Sequence, residues 1–455
     1  MTQEVKVESL DKYIDQARAN YERELKELVD IPGVSMEPEK APQIQETARK
    51  AKELLEKHGA RAEILETAGN PVLVADFIFN KDCPTVAVYN HMDVQPADPS
   101  KWNSEPFQMT IDGDRYLGRG TTDDKGPALA VLYAARYARE NKFPINIKFI
   151  WELEEEIGSP SFEEFLKNNP EKIKCDSVVI SDTVWISKDK PAMPYGLRGL
   201  QGCLIKLQTG GKNVHSGEVG GLARNPIADL CDLIAKLHNA ATGEVNIPGF
   251  YDDVEKVTED ELDSFVSSGF SVEHYKEAHE LKLLRTEDIR EAADRIWTRP
   301  TFEVHGITGG YQGPGVKTIV PFEAEAKISM RLVPNQDPAK ILKALKAFVK
   351  EHCPEATVEA EGALKPFVAQ YQDKYSQAGK RACELAFGVE PSFIREGGSI
   401  GAVVSMKEAM NVPIVFLGLS LPEHGYHAIN ENFDWGQASG GMKLFAHYFK
   451  LLSEL

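Results

Sequence analysis

The chain has 455 residues, of which 42% are hydrophobic and 27% are charged. This length and composition are typical of a globular protein with two domains, or with one domain carrying a large insertion. Asp and Glu total 70 against 52 Lys and Arg, a formal net charge of −18. This surplus disfavours binding to nucleic acid or to anionic membrane surfaces, because the phosphate groups are repelled. An enzyme with small substrates fits the composition better.

The sequence contains no pattern typical of secretion or of a membrane span. The N-terminal stretch MTQEVKVESLDKYIDQ is charged from Glu4 and lacks the apolar core of a signal peptide. No later stretch reaches about 18 apolar residues. The six cysteines are scattered without a CxxC pair, which predicts buried free thiols rather than disulfides or a thiolate zinc site. We therefore predict a cytoplasmic protein that does not bind membranes.

Helical and strand patterns alternate over roughly the first 200 residues. The predicted elements, in order, are helices Leu10–Leu28 and Ile44–His58, strands PVLVADFIF and PTVAVYN, helix KGPALAVLYAARYAREN, and strands INIKFIWEL and DSVVISD. Strands interleaved with helices favour a largely parallel sheet covered by helices on both faces, an α/β/α sandwich.

The pattern changes after PYGLRGLQG and changes back near Lys365. The elements predicted between them are strand CLIKLQTG, helix Asn225–Leu237, an acidic helix-rich stretch over Gly249–Arg295, strands TFEVHGI and KTIVPFEAEAKISMRLV, helix Ala339–Glu351 and strand TVEAEG. Two strand–helix units in one segment predict a separate α+β domain. We therefore predict an α/β domain formed by residues 1–197 and 369–455, interrupted by an α+β domain over residues 198–368.

Polar side chains collect where predicted strands end. His91 and Asp93, in YNHMDVQP, follow one strand and are two residues apart, so both can lie on the same face. Asp182 ends another strand, and Asp123 lies in the glycine-rich turn GRGTTDDKGP. In open α/β sheets, ligands bind at the carboxyl ends of the strands. Each group alone has an ordinary structural explanation, such as a helix cap at Asp124.

The acidic run in ELEEEIGSP also stands at the end of a strand, where a solvated loop is the alternative explanation. Carboxylates and a histidine that converge at one sheet edge need cations to compensate their charge. Oxygen and imidazole ligands without thiolate suit Zn²⁺, Mn²⁺ or Co²⁺. A second histidine is expected from the C-terminal part of the chain, where PEHGYHAINENF offers His424 and His427 as candidates.

Several motifs in the chain resemble, in order, those of one family. They are YNHMDVQP, GRGTTDDKGP, ELEEEIGS, ISDT, PYGLRGL, NVHSG, HGITGG with GVKTIVP, SMRLVPN, REGGSI and HAINE. With them the chain resembles the dinuclear metallopeptidases of the aminoacylase, carboxypeptidase G and carnosinase family, and most of all their nonspecific dipeptidase and carnosinase branch. The resemblance covers nearly the whole chain. It implies a catalytic α/β/α sandwich with an inserted ferredoxin-like domain that acts as a lid and in dimerisation.

The resemblance also implies roles for individual residues. The implied ligands of two divalent metal ions per subunit are His91, Asp123, Glu156, Asp182 and His427, with Asp123 bridging both ions. Glu155 is the implied general base, and Asp93 is the acid beside His91. His424 is left as a loop residue, because His427 is the histidine of the HxxNE pattern.

The remaining implied residues concern substrate binding. His215, in NVHSG, is expected to reach from the lid of one subunit into the site of its partner in a homodimer, where it stabilises the oxyanion. Thr318 and Arg331 resemble binders of the substrate carboxylate, and Ser399 lies before a helix whose N–H groups favour an anion. The alternatives are a surface-loop histidine, a solvent-facing strand arginine and an ordinary helix cap.

We therefore predict hydrolysis of the peptide bond of dipeptides or short peptides that carry a free C-terminal carboxylate. The reaction uses a water or hydroxide held between two metal ions, with Zn²⁺ expected first and Mn²⁺ or Co²⁺ as alternatives. Two other functions are consistent with the sequence. One is a metal-dependent amidohydrolase of N-acyl amino acids, and the other is a relative without catalytic activity.

Overall fold

A computed structural model describes residues 7–455, with side chains from Ser9 onward. Residues 1–6, the beginning of the stretch that argues against a signal peptide, lie outside the described residues. The first part of the chain contains α1 (Val7–Val29), α2 (Ala41–Lys57), β1 (Arg61–Leu65), β2 (Val72–Phe77), β3 (Thr85–His91), β4 (Thr110–Asp112), β5 (Arg115–Leu117), α3 (Lys125–Glu140), β6 (Asn146–Glu152), α4 (Phe162–Asn168), α5 (Pro170–Ile173) and β7 (Ser177–Ile180).

The middle of the chain contains β8 (Ala192–Leu197), β9 (Gly199–Gln208), β10 (Val214–His215), α6 (Ser216–Val219), α7 (Pro226–Leu237), α8 (Glu259–Ser267), α9 (Val272–Ala278), α10 (Ile289–Trp297), β11 (Thr301–Gly309), β12 (Ile319–Val320), β13 (Glu323–Leu332), α11 (Pro338–His352), β14 (Thr357–Leu364) and β15 (Phe367–Val368). The last part contains α12 (Lys374–Phe387), β16 (Ser392–Glu396), α13 (Gly401–Met410), β17 (Ile414–Phe416), β18 (Asn432–Asp434) and α14 (Trp435–Leu452).

A six-stranded sheet forms the centre of the α/β part, in the order β1-β2-β6-β3-β7-β17. Strands β6, β3, β7 and β17 are parallel to one another. At the other edge, β2 pairs antiparallel with both β6 and β1. Helices α1, α2, α3, α12 and α14 pack on one face, and α4, α5 and α13 pack on the other. The predicted α/β/α sandwich is therefore confirmed, and β17 brings the C-terminal part of the chain to the same sheet.

The inserted segment folds around a four-stranded antiparallel sheet in the order β11-β13-β9-β14. Helices α7 and α11 cover one face of this sheet. The succession β9-α7-β11-β13-α11-β14 with this strand order is the ferredoxin-like arrangement that the resemblance implies. The exact domain boundaries stay a prediction.

Two features of this segment differ from the predicted elements. The run KTIVPFEAEAKISMRLV, predicted as one strand, divides at Pro321 into β12, which pairs with β10, and β13, which pairs with β9 and β11. A proline has no N–H to donate to a sheet ladder. The acidic helical stretch packs its Phe265 and Trp297 against Tyr195 of β8 and Ile394 of β16, and not on the ferredoxin-like sheet. Within residues 7–455, no helix is both long and apolar enough to cross a membrane.

Candidate metal centre

The candidate site lies at the carboxyl edge of the central sheet. His91 is the last residue of β3, and Asp182 comes two residues after β7, the neighbouring parallel strand. Asp123 stands in the turn directly before α3, and Glu156 in the turn after β6. Since the carboxyl ends of parallel strands meet at one edge, side chains that are far apart in sequence converge there.

Two groups of potential ligand atoms share Asp123. In the first group, His91 Nε2 lies 2.9 Å from Asp123 Oδ1 and 3.8 Å from Asp182 Oδ2. In the second group, His427 Nε2 lies 3.1 Å from Asp123 Oδ2 and 3.1 Å from Glu156 Oε2. The ligand atoms of each group lie within 4.8 Å of one another. One carboxylate therefore faces both groups, with one oxygen toward each.

The charge balance of these groups suits bound cations. Burial raises the pKa of Asp182 to about 6, and nearby Asp123 adds to the shift. Burial alone would lower the pKa of His427, but its hydrogen bonds to Asp123 and Glu156 raise the pKa to about 11. Glu156 Oε1 is buried and accepts no hydrogen bond from the described residues. An imidazole and two carboxylates per group, crowded in this way, fit a divalent cation.

Asp93 and Glu155 flank the two groups. The Asp93 carboxylate accepts hydrogen bonds from the backbone N–H groups of Glu155 at 3.3 Å and Glu156 at 3.1 Å. Its Oδ1 also lies 3.4 Å from His91 Nδ1. Asp93 thus holds both the imidazole and the acidic turn in place. Glu155 is half-buried, and burial raises the pKa of its carboxyl well above the usual value.

The two candidate histidines of the C-terminal loop lie in different environments. His424 is buried: its Nδ1 accepts a hydrogen bond from Leu421 N–H at 3.1 Å, and its Nε2 lies 3.1 Å from Asp434 Oδ2. Both ring nitrogens therefore have partners away from the ligand groups. His427 has 56% of its side chain exposed, and its Nε2 faces Asp123 and Glu156. Of the two histidines, only His427 belongs to a group that could hold a metal ion.

Sequence reasoning missed several residues that contact the site. The hydroxyl of Tyr426 donates a hydrogen bond to Asp182 Oδ1 at 3.0 Å, and Gln95 Nε2 donates one to Glu156 Oε2 at 2.7 Å. Glu431, the acid that ends HAINE, accepts hydrogen bonds from the loop that carries Asp123. Glu431 is part of the HAINE motif, but the sequence indicates no role for it, because its partners lie about three hundred positions away.

A cavity of about 1030 Å³ adjoins the metal groups at Tyr426. Arg331 lies in its wall and donates a hydrogen bond from Nη1 to Ser399 Oγ at 2.9 Å. Burial lowers the pKa of Arg331, and no carboxylate of the described residues pairs with its guanidinium. A cationic group without an anionic partner in a cavity wall suits an anionic ligand.

Glu396 also lines this cavity, in the strand end that leads to Ser399. Its Oε2 is buried without a hydrogen-bond partner among the described residues, and burial raises the pKa of its carboxyl to about 8. The cavity therefore offers a guanidinium and a carboxyl group as two separate points of attachment for a ligand.

His215 and Thr318 lie elsewhere: His215 ends β10, and Thr318 directly precedes β12, with which β10 forms a short ribbon. The two residues are neighbours there, since Ser216 N–H donates to Thr318 O at 3.0 Å. Both side chains are exposed, and His215 Nδ1 accepts only a local hydrogen bond from Gly217 N–H at 3.0 Å. Neither residue is among those that line the 1030 Å³ cavity. The structure does not bring them to the metal groups within one chain.

The chain is similar to known peptidases over almost its full length. Human Beta-Ala-His dipeptidase is 32% identical to it, with 99% of this chain and 93% of the relative covered. The solved structure of the dipeptidase Dug1p from Saccharomyces cerevisiae is 28% identical, covers 99% of both chains and gives a TM-score of 0.89. The M20 family metallo-carboxypeptidase Sso-CP2 from Sulfolobus solfataricus is 34% identical, covers 95% of this chain and 98% of the other, and gives a TM-score of 0.87. The model of peptidase family M20/M25/M40 matches residues 87–451, and the chain is an enzyme that belongs to this family.

Proposed function

We propose that this enzyme hydrolyses the peptide bond of dipeptides or short peptides with a free C-terminal carboxylate, using two divalent metal ions. The observation that carries the proposal is the pair of ligand groups that share Asp123 beside the half-buried carboxylate of Glu155. His91 and Asp182 would complete the site of one ion, and Glu156 and His427 that of the other. Bound there, the ions would acidify a water molecule and polarise the scissile carbonyl.

Glu155 is proposed as the general base. A carboxyl group whose pKa is raised by burial is a stronger base than an exposed one, and its protonated form can return the proton. Glu155 would take the proton of the attacking water and later deliver it to the leaving amine. Asp93 supports this role, because it fixes the backbone of Glu155 and the ring of His91.

The cavity supports a substrate with a charge at each end. Arg331 and Ser399 would bind the C-terminal carboxylate, since a planar guanidinium can donate two parallel hydrogen bonds to it. Beside the free amino group of the substrate, Glu396 would ionise and accept a hydrogen bond from it, because a nearby ammonium lowers the pKa of a carboxyl group. An N-acyl amino acid lacks this amino group and would leave Glu396 Oε2 buried without a hydrogen-bond partner, so the arrangement favours a dipeptide.

We further propose that the active form is a homodimer in which His215 and Thr318 contribute to the site of a second copy. Their exposure and their separation from the cavity within one chain support this. His215 would then stabilise the oxyanion. A cytoplasmic location is also proposed, supported by the six free cysteines.

The test is removal of metal with EDTA, followed by addition of Zn²⁺, Mn²⁺ or Co²⁺ one at a time. Dipeptides and matched N-acetyl amino acids serve as substrates. We expect the apoenzyme to be inactive, at least one metal to restore activity, and dipeptides to be preferred. Faster turnover of N-acetyl amino acids would favour the amidohydrolase instead, and no turnover with any metal would favour a relative without catalytic activity.

A further inference from the structure

A buried glutamate joins the two loops that carry Asp123 and His427. Glu431 Oε1 accepts hydrogen bonds from the backbone N–H groups of Thr122 at 3.0 Å and Asp123 at 3.1 Å. Its Oε2 accepts one from Gly120 N–H at 3.0 Å and one from Arg119 Nη1 at 2.8 Å. One carboxylate thus accepts hydrogen bonds from three backbone N–H groups and a guanidinium, all within the turn that presents Asp123.

Arg119 extends the connection to the histidine. Besides its ion pair with Glu431, it donates from Nη2 to the carbonyl oxygen of Ala428 at 3.1 Å. Ala428 follows His427 directly, and His427 itself has a φ of 54°, an uncommon backbone conformation for a residue with a side chain. The guanidinium also lies 5.2 Å from the centre of the Trp102 ring. The ion pair of Arg119 with Glu431 therefore contacts the backbone of both loops, the one that carries Asp123 and the one that carries His427.

The chemistry of these contacts requires a carboxylate. Both oxygens of Glu431 act only as acceptors, and each faces two donors. A glutamine would place an N–H₂ group against N–H groups on one of these sides, leaving buried donors without acceptors. The side chain of Glu431 is fully buried, so water cannot replace the lost acceptor.

We propose that Glu431, together with Arg119, is a positioning residue that sets the distance between Asp123 and His427 and thereby the affinity for both metal ions. The inference rests on the proposed metal-dependent function. Because Asp123 belongs to both ligand groups, a displacement of its loop weakens both sites at once. Loss of His427 would instead be expected to act mainly on the group that contains it.

A purely structural role for Glu431 is the alternative, and the chain offers a matched control. Glu24 is another buried carboxylate with several partners, since it accepts from Tyr133 Oη at 2.8 Å and lies 2.9 Å from His58 Nε2 and 2.6 Å from Lys57 Nζ. These partners join α1 to α2 and α3, away from the metal groups. Glu24→Gln therefore reports what loss of a buried carboxylate does to the fold alone.

The experiment compares the wild type, Glu431→Gln and Glu24→Gln. The affinity of each apoprotein for Zn²⁺ is measured by competition with a chromogenic chelator, and unfolding of each apoprotein is measured in denaturant. We expect Glu431→Gln to weaken binding of both ions by about 10–100-fold. Glu24→Gln should lower the stability of the apoprotein and leave both affinities as in the wild type. Wild-type affinity in Glu431→Gln, or an equal loss in Glu24→Gln, would overturn the proposal.

If Glu431→Gln does not yield folded protein, Arg119→Lys decides. Lysine keeps the charge but cannot reach Glu431 and the Ala428 carbonyl with a fixed fork. A fall in the Zn²⁺ affinity of both sites supports the positioning role of Glu431 and Arg119, and unchanged affinity refutes it. Failure of the proposed function gives a different result. If the wild type binds two ions but cleaves no peptide, the proposed function is refuted. If the wild type is active and Glu431→Gln binds metal as tightly as the wild type, only the positioning role of Glu431 and Arg119 is refuted.

Discussion

Two regions carry residues that we propose act in catalysis: the cleft at the edge of the central sheet, formed by the ligand groups of Asp123, and the β10–β12 ribbon. Within one chain, only the residues of the cleft lie close together. In the cleft, His91 and Asp123 are buried, and each has a partner contributed from a distant part of the sequence. In the ribbon, His215 is exposed and bonds only to its own loop. A parallel sheet places the carboxyl ends of its strands, and the side chains that follow them, at one edge. A ribbon with two residues in each strand brings too few side chains together to form a site.

The largest effect is expected from a change in the cleft alone. We expect Glu155→Gln to lower kcat by about 10²–10⁴-fold, because the general base is lost while the ligands are kept. Bound metal, measured by elemental analysis, should stay as in the wild type. Glu163→Gln, an exposed change on α4 at a residue paired with Lys167, is the control and should keep full activity. A Glu155→Gln enzyme within tenfold of the wild type would contradict the assignment.

The next effect connects the ribbon to the cleft. His215→Ala should lower kcat by about 10²–10³-fold, as loss of one oxyanion donor does in other enzymes. If the site is shared, inactive Glu155→Gln and His215→Ala chains should recover activity when they are mixed after denaturation and refolding. Random pairing leaves about a quarter of the sites intact in a symmetric dimer. Mixing Glu155→Gln with His91→Ala, two changes on the same side, should restore nothing.

Recovery in both mixtures would mean residual wild-type protein, and recovery in neither would argue against a shared site. A His215→Ala enzyme with the kcat of the wild type would instead make His215 a surface histidine without a catalytic part, which is the alternative that its sequence context also allowed. The ribbon would then differ from the cleft in function as well as in exposure.

Arg331 tests the boundary between the two regions, because it belongs to β13 of the ferredoxin-like sheet but lines the cavity beside the cleft. We expect Arg331→Lys to raise KM for a dipeptide by about 10–100-fold, the value of a hydrogen bond to a charged group. kcat should change little if this contact is equally strong in the ground and transition states.

The substrate end that Arg331 binds can be identified with an amide. A dipeptide with its C-terminal carboxylate converted to an amide should lose far less from Arg331→Lys than the free acid does. Arg381→Lys, in an exposed pair with Glu384 on α12, should leave KM unchanged. An equal loss for acid and amide would show that Arg331 does not bind the carboxylate.

The contrast between the regions also explains what the sequence predicted and what it did not. The helices around Leu10–Leu28 and Ile44–His58 and the strands that end near His91 and Asp182 were predicted, because long apolar periods carry a strong signal. Three-residue strands such as β4, β5 and β18 were not predicted, since they are too short to show a period. The break at Pro321 was also missed, although proline is a known limit to strand pairing.

Within the site, residue type and position predicted the grouping of His91, Asp123 and Asp182 at one sheet edge. The HxxNE pattern of the family resemblance favoured His427 over His424, but the chemistry of the two residues could not separate them. The physical difference lies in tertiary contacts: Leu421 and Asp434 contact the ring of His424, whereas Asp123 and Glu156 face the ring of His427. The contacts of Glu431 are likewise made across the whole insertion. Chemistry that depends on a single residue type was predictable, and positioning that depends on long-range contacts was not.

The smallest effect on catalysis should come from the apolar residues beside the ribbon. Leu222 and Val316 are 89% and 94% exposed in one chain, so replacing both with serine should change the free energy of unfolding of the monomer by no more than about 0.5 kcal/mol. If a second copy covers them, each loses apolar burial on substitution, and we expect the dimer dissociation constant to rise about tenfold or more. Sedimentation velocity over a dilution series measures this constant.

Leu283→Ser supplies the matched control, because Leu283 is 91% exposed but lies between α9 and α10 rather than on the ribbon. The specific activity of the Leu222→Ser/Val316→Ser enzyme should equal that of the wild type at high concentration and fall on dilution, since only the assembly of the site is weakened. Activity that stays constant on dilution while the protein becomes monomeric would show that one chain suffices. The difference between cleft and ribbon would then concern only the surface of the molecule, and the cleft would be the whole catalytic site.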